Sequence, residues 1–244
     1  MKQEILLLYD NMFEHTAPAY DDSQISPILT KAQLRVFNRI YNPLGNKFLK
    51  GFEMSEKRRR DLAQLIKNAS LENGDIEESE NQEGVHPNGI FLDLPEDFWL
   101  AIEERAKTDE MESEVVVKPV THDGYVNIDN PYKKPYKELV WRMDISREEH
   151  GEDGDDEFTG RSPKRVEIIV RDIEEAPLVD YIVRYLRFPP AIVCDEFNPS
   201  NQRHCILDEG IHSDIVDEAV KIMTASTKPD EYQVAINEQR DNES

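Results

Sequence analysis

The sequence predicts an α+β protein in which a helical bundle carries a β-rich insertion, and three observations predict it. Apolar residues recur at helical spacing over residues 2–15, 23–41, 55–68 and 211–226, so helices lie toward both ends of the chain. Between them, within residues 88–204, short apolar segments alternate with a period of two. The change of period is sharpest between Leu178 and Met223, where strand gives way to helix across Pro189-Pro190. The implied organisation is a helical region at 1–70, an acidic flexible loop at 71–87, the insertion at 88–204, a C-terminal helix of the bundle at 205–228 and an extended tail at 229–244.

At that junction Val179, Tyr181, Val183 and Tyr185 point to one side of a strand, and Ile182, Arg184, Leu186 and Phe188 to the other. The double proline offers no N–H to a ladder, so Ala191-Ile192-Val193 begins a new segment. From Ile211 the residues Ile215, Ala219, Ile222 and Met223 form a helical stripe. Asp208 and Glu209 precede it and Lys221 and Lys228 lie near its end, as the helix dipole favours.

From the N-terminus, Ile5, Leu8, Tyr9, Met12 and Phe13 give the stripe of the first helix, and Pro18 lies past its end. Ile25, Ile28, Leu29, Ala32, Val36 and Ile40 give the second, which starts at Asp21-Asp22-Ser23 or at Ser26-Pro27 and stops before Asn42-Pro43. These two are expected to form an antiparallel hairpin. A third helix runs from the cap Ser55 with Leu62, Leu65 and Ile66 inward. Leu71 to Gly84 holds six acidic residues and no basic one, which reads as a flexible loop. Gly89-Ile90-Phe91-Leu92 is a strand, and Leu94-Pro95-Glu96-Asp97 reads as a helix start with Phe98, Ile102 and Ala106 on one face. Val115-Val116-Val117, Leu139 to Met143 and Val166 to Val170 are strands. The last two form a hairpin across an acidic loop at 148–157.

Composition bounds the function. The chain has 244 residues, net charge −22 and no apolar run near the roughly 20 residues that span a bilayer, so no membrane partner is expected. Residues 1–70 carry 11 Lys and Arg against 8 Asp and Glu, leaving 18 against 43 for residues 71–244. That imbalance argues against gripping nucleic-acid phosphates and suits a surface that DNA passes without sticking. Cys194 and Cys205 fit a reducing compartment, and with His204 and His212 they lack the paired spacing of a zinc site. Asp153, Asp155 and Glu157 resemble a calcium loop, but Phe158 and Lys164 stand where the turn glycine and the bidentate Glu belong.

There is no glycine-rich phosphate loop, G-x-S-x-G or H-E-x-x-H in the chain, and His122-Asp123 reads as a turn rather than half of a dyad. No enzyme activity and no cofactor are expected. Two other classes stay open: an acidic metal-dependent hydrolase, if carboxylates at 93–123 cluster, and a soluble DNA-mimic or regulatory binding protein. Lys57-Arg58-Arg59-Arg60 point around more than half of a helix, which suits a solvated face or an acidic protein partner better than a single groove.

Several segments taken together, in order, resemble a known family. Pro18 to Asp22 leading into Leu29 to Gln33, Gly51-Phe52-Glu53 before Glu56 to Leu62, Asn130 to Pro135 with Trp141-Arg142, Tyr181-x-x-Arg184-Tyr185-x-Arg187-x-Pro189, and Asp214 to Val220 are similar to ring (head-to-tail adaptor) proteins of crAss-like bacteriophages. The resemblance implies a structural virion component with a head-to-tail adaptor-like fold. It would form a ring, twelvefold if it matches the portal, contacting the portal protein and neighbouring ring or tail proteins in the neck, assembled in the host cytoplasm and extending the channel for genome ejection. Interface candidates are Lys57, Arg58, Arg59, Arg60, Tyr181, Arg184 and Arg187. Tyr232, Val234 and Ile236 join them, an alternation suited to adding a strand to a neighbour's sheet edge.

Overall fold

The structure, a computed structural model of the chain, describes residues 1–12, 19–42, 51–72, 76–78, 89–124, 130, 136, 138–146, 164–171 and 178–227. The chain divides into two compact units, Met1–Leu65 with Pro189–Ser244, and Ile66–Phe188. The expected class, a helical bundle with a β-rich insertion, is overturned. The main element is one mixed eight-stranded sheet, and among the described residues the α-helices are few.

Those helices are α1 (Lys2–Met12), α2 (Asp22–Tyr41), α3 (Glu56–Leu62) and α4 (His212–Thr227). Asp21 settles the start of α2: its side chain accepts from the Gln24 amide at 3.0 Å while the Gln24 side chain accepts from the Asp21 amide, a capping box. Pro27 therefore lies inside the helix instead of starting it, which deprives the Ser23 carbonyl of its usual donor. The expected hairpin of the first two helices is replaced by a different packing, in which α1 and α2 each lie chiefly against α4. Ile5 and Tyr9 of α1, Ile25, Leu29, Ala32, Val36 and Phe37 of α2, and Ile215, Ala219 and Met223 of α4 are all buried. Phe13 lies outside the described residues.

The third helix is shorter than expected. Ser55 caps it, accepting from the Arg58 amide, but α3 ends at Leu62, a 3-10 turn follows over Ala63–Leu65, and Ile66 already begins a strand. The strands are β1 (Ile66–Glu72), β2 (Ile76–Glu78), β3 (Gly89–Asp93), β4 (Phe98–Thr108), β5 (Val115–Pro119), β6 (Val140–Ser146), β7 (Lys164–Ile169) and β8 (Leu178–Arg187). Leu71, Glu72 and Ile76–Glu78 thus belong to strands, not to a flexible loop. Their order is β1-β8-β4-β5-β6-β7-β3-β2, antiparallel throughout except for β5 with β6. The β6–β7 hairpin forms as expected, with Trp141 opposite Ile169, and its acidic connection at 148–157 lies outside the described residues.

Phe98–Thr108 is the clearest correction, a strand where the sequence suggested a helix. Its pairing with β8 shifts register between Phe98 and Leu100 and again between Ala101 and Glu103. Each such bulge inserts a residue and resets the phase, so apolar residues four apart imitate a helical stripe. Between these and a third shift at Lys107–Thr108 the alternation is plain: Glu104 and Ala106 are buried on either side of the exposed Arg105.

One face of the sheet forms the larger core, with Ile90, Leu92, Val140, Val166, Ile168, Tyr181, Val183 and Tyr185. The opposite face buries Trp141, Met143 and Ile169. Inside the sheet unit, Arg142 of β6 donates to Glu104 of β4, two strands and roughly 9.5 Å away across the short β5. The Tyr181 hydroxyl donates to the same carboxylate at 2.7 Å. Burial opposes the charge on Arg142, yet Glu104 and Asp144 hold the guanidinium firmly protonated. Burial and the Glu104 charge push the Tyr181 phenol far above its ordinary range. This network ties β4, β6 and β8 together where the only parallel pairing occurs among the described strands. Removing one partner leaves a buried charge uncompensated. Glu104→Ala is therefore expected to lower the unfolding free energy by about 3–5 kcal/mol in urea titrations, whereas the triple change Glu104→Leu, Arg142→Met, Tyr181→Phe recovers most of that loss.

Candidate interaction site

The segment after β8 is built on α2 by a ladder of side-chain hydrogen bonds. The amides of Ile192, Cys194 and Glu196 donate to Thr30 Oγ1, Ser26 Oγ and Asp22 Oδ2 at 3.1, 2.9 and 2.8 Å. Each hydroxyl donates at shorter range into the helix, Thr30 to the Ser26 carbonyl at 2.9 Å and Ser26 to the Asp22 carbonyl at 2.7 Å, than to the Ile192 and Cys194 carbonyls, both at 3.4 Å. Each oxygen is left with lone pairs that can only accept. Pro190 has no N–H, and there the ladder inverts: Gln33 Nε2 donates to the Pro190 carbonyl at 3.1 Å. The match is geometric, since four helical residues rise about 6.0 Å and two extended residues about 6.6 Å.

The ladder presents a loop. Val193 and Arg203 exchange both backbone hydrogen bonds at 3.1 Å, closing residues 193–203. Inside it Asp195 Oδ1 accepts from the Phe197 and Asn198 amides at 3.1 and 2.9 Å, and the Asp195 carbonyl accepts from Gln202 Nε2 at 2.8 Å. A 3-10 turn over Pro199–Asn201 completes it. Lys2 bridges the loop to α2 by reaching Glu196 at 2.7 Å and Asp22 as well. On this ordered frame the Phe197 side chain is 99% exposed.

The sequence-predicted candidates fall in different places. Lys57, Arg59 and Arg60 are exposed on α3 and Arg58 is half-buried there. Beside them Met54 is 66% exposed, while Asp61 is buried, and that burial pushes its carboxyl up toward neutrality. Tyr181 is wholly buried in the Glu104 network, which removes it as a direct contact. Arg184 is exposed, with Nε donating to Asn68 at 3.1 Å and Nη1 3.6 Å from Glu103. Arg187 is half-buried, its Nε without a hydrogen-bond partner among the described residues. Tyr232, Val234 and Ile236 lie outside the described residues.

Sequence reasoning passed over Phe197. The available signal was a lone aromatic among turn formers, Asp195, Asn198, Pro199 and Asn201, with no aliphatic or aromatic residue following it from 198 to 203. The thiols and histidines weighed for zinc line one cavity of about 330 Å³, Cys194, His204, Cys205 and His212 among them. No three metal-ligating side chains converge there or elsewhere among the described residues. Burial pushes both thiols up, disfavouring the thiolate that a metal needs. His122 contacts the Asp144 carbonyl through Nε2 at 3.0 Å, a turn contact. No described helix is long and apolar enough to cross a membrane.

Because Ile192 is buried, losing its acceptor is costly. Thr30→Val keeps the side-chain shape and removes the oxygen, and chemical denaturation is expected to show a loss of about 1–3 kcal/mol. Substituting the exposed Lys31 on the same helix is expected to stay within about 0.5 kcal/mol.

A family model described as phage tail ring protein 3/4 matches residues 1–233. Ring protein 4/5 of Bacteroides phage crAss001 is 29% identical over 238 residues, covering 93% of this chain and 92% of the relative. Ring protein 3 of the same phage is 24% identical over 221 residues, covering 84% and 85%. With nearly its whole length matched in this way, the chain belongs to the phage tail ring protein 3/4 family of crAss-like phages.

Proposed function

We propose that the chain is a non-enzymatic subunit of a homo-oligomeric ring in the neck of a tailed phage particle, where it bridges portal to tail and extends the DNA channel. The observation that carries this reading is the family match over residues 1–233, joined to relatives whose names are those of ring proteins. The ring is twelvefold on this reading, in register with a portal above it, and its subunits assemble in the host cytoplasm. Charge supports the channel role. Net charge −22 per subunit, repeated around a ring, repels DNA phosphates and keeps a passing duplex from sticking.

The segment 229–244 is assigned a second role, adding a strand through Tyr232, Val234 and Ile236 to the sheet edge of a neighbour. Both β1 and β2 are edge strands of the sheet, so acceptors for such a strand exist in every copy. Mass spectrometry of purified particles is expected to find the protein in a copy number matching a ring, and its absence would contradict the reading. Deleting residues 230–244 is expected to weaken assembly into rings while changing monomer stability by no more than about 1 kcal/mol. Unchanged assembly would remove the tail from the interface.

A further inference from the structure

We infer that Phe197 of one copy docks on the Met54–α3 surface of the next copy, making the head-to-tail contact of the ring. The inference rests on the ring reading above and adds the two surfaces that would join. Two unlike patches lie at the two ends of α2 within one compact unit. At the N-terminal end, Asp22 accepts from the Glu196 amide at 2.8 Å, which seats the loop that carries Phe197. At the C-terminal end, Tyr41 stacks on Phe52 with ring centroids 5.6 Å apart, and Met54 follows two residues later with α3 directly behind it. The 20 residues of α2 set these patches about 30 Å apart. A closed ring is built from heterologous contacts, in which each subunit offers two different surfaces.

The patches also complement one another chemically. Around Phe197 four carboxylates, Asp21, Asp22, Asp195 and Glu196, outnumber the cations Lys2 and Arg203. Around Met54 the cations Lys57, Arg58, Arg59 and Arg60, with Arg39 paired to Asp214, stand against Glu53, Glu56, Asp208 and Asp214, and buried Asp61 is pushed toward its neutral form. A polarizable thioether and planar guanidinium groups are favoured partners for an aromatic ring. Phe197 supplies that ring at 99% exposure on a backbone already fixed by Asp195, so little ordering entropy is lost on docking. An aromatic anchor in an oppositely charged rim is how a small number of residues dominates an interface.

The test uses the full chain with Cys194→Ser and Cys205→Ser, keeping Phe197 and Met54 and carrying Ser200→Cys in one preparation and Glu53→Cys in another, both exposed positions beside the two patches, joined by a short bis-maleimide linker. A crosslinked dimer is expected when the two are mixed, and not from either variant alone or from the parent chain lacking Cys194 and Cys205. In sedimentation, Phe197→Asp is expected to weaken self-association by about 10–100-fold with an unchanged melting temperature. Absence of the mixed crosslink, undiminished association of Phe197→Asp, or an unsubstituted chain that stays monomeric at every concentration would each overturn the inference. Particle composition separates this from the reading beneath it. Protein present in particles without the crosslink rejects only the contact, while a crosslink from a protein absent from particles rejects only the virion role.

Discussion

The helical unit depends on a match of two repeats, the four-residue step of α2 and the two-residue step of the segment Pro190 to Glu196. Asp22, Ser26 and Thr30 stand one turn apart and take the amides of every second residue of an extended chain. An extended segment against a helix would ordinarily leave those amides without acceptors, at about 1–3 kcal/mol each once buried. Here the helix supplies what a neighbouring strand supplies in a sheet. The loop that follows is anchored by the same register, and its closing bridge between Val193 and Arg203 sits between two of the ladder's rungs, Ile192 and Cys194.

The sheet unit meets a related constraint with ions. Placing β5 parallel to β6 interrupts an otherwise antiparallel sheet, and β5 is only five residues long. The Arg142–Glu104–Tyr181 network crosses that short strand inside the core. A slip of one residue would already turn the buried side chains of these strands outward, and a buried charge that must meet its partner adds a further penalty to any slip. A second polar group supports the edge of the sheet: Asp97 accepts from Tyr185 at 2.7 Å and pairs with Lys67 of β1. Burial opposes ionisation of Asp97, but these two donors outweigh it and hold its carboxyl below the usual range.

Much of this was legible in the residues where a single period governs burial. β8 shows it best over Tyr181, Val183 and Tyr185, which alternate and all turn inward. Val179, expected on the same side, is exposed and Leu178 is buried instead, because the pairing with β4 shifts register there. The stripes of α2 and α4 were legible for the same reason, and so was the β6–β7 hairpin. β4 was not, because its bulges change the phase of the pattern and bring Phe98, Ile102 and Ala106 into a false helical register. β2 was hidden by its acidic composition, and β1 by Leu62, Leu65 and Ile66, which continue a helical stripe into its first residue; an edge strand needs few apolar residues when one side faces water. The ladder on α2 was written in polar residues at a four-residue spacing, Asp22, Ser26 and Thr30. Such residues read as solvent-facing until a partner backbone is known, and Ser26-Pro27 even resembled a helix start. Recognition of the family came from motifs spread along the chain, and it did not depend on assigning those elements correctly.

The position of the Phe197 loop depends most heavily on the ladder. Amide hydrogen exchange of the intact chain reads it directly, residue by residue. Ile192 and Cys194 are expected to exchange as slowly as the buried amides of α2, and to be released together when Thr30 and Ser26 are replaced by Val and Ala. Exchange of these two amides at the rate of an unprotected peptide in the unsubstituted chain would contradict the account, because the segment would then not be held by α2 at all.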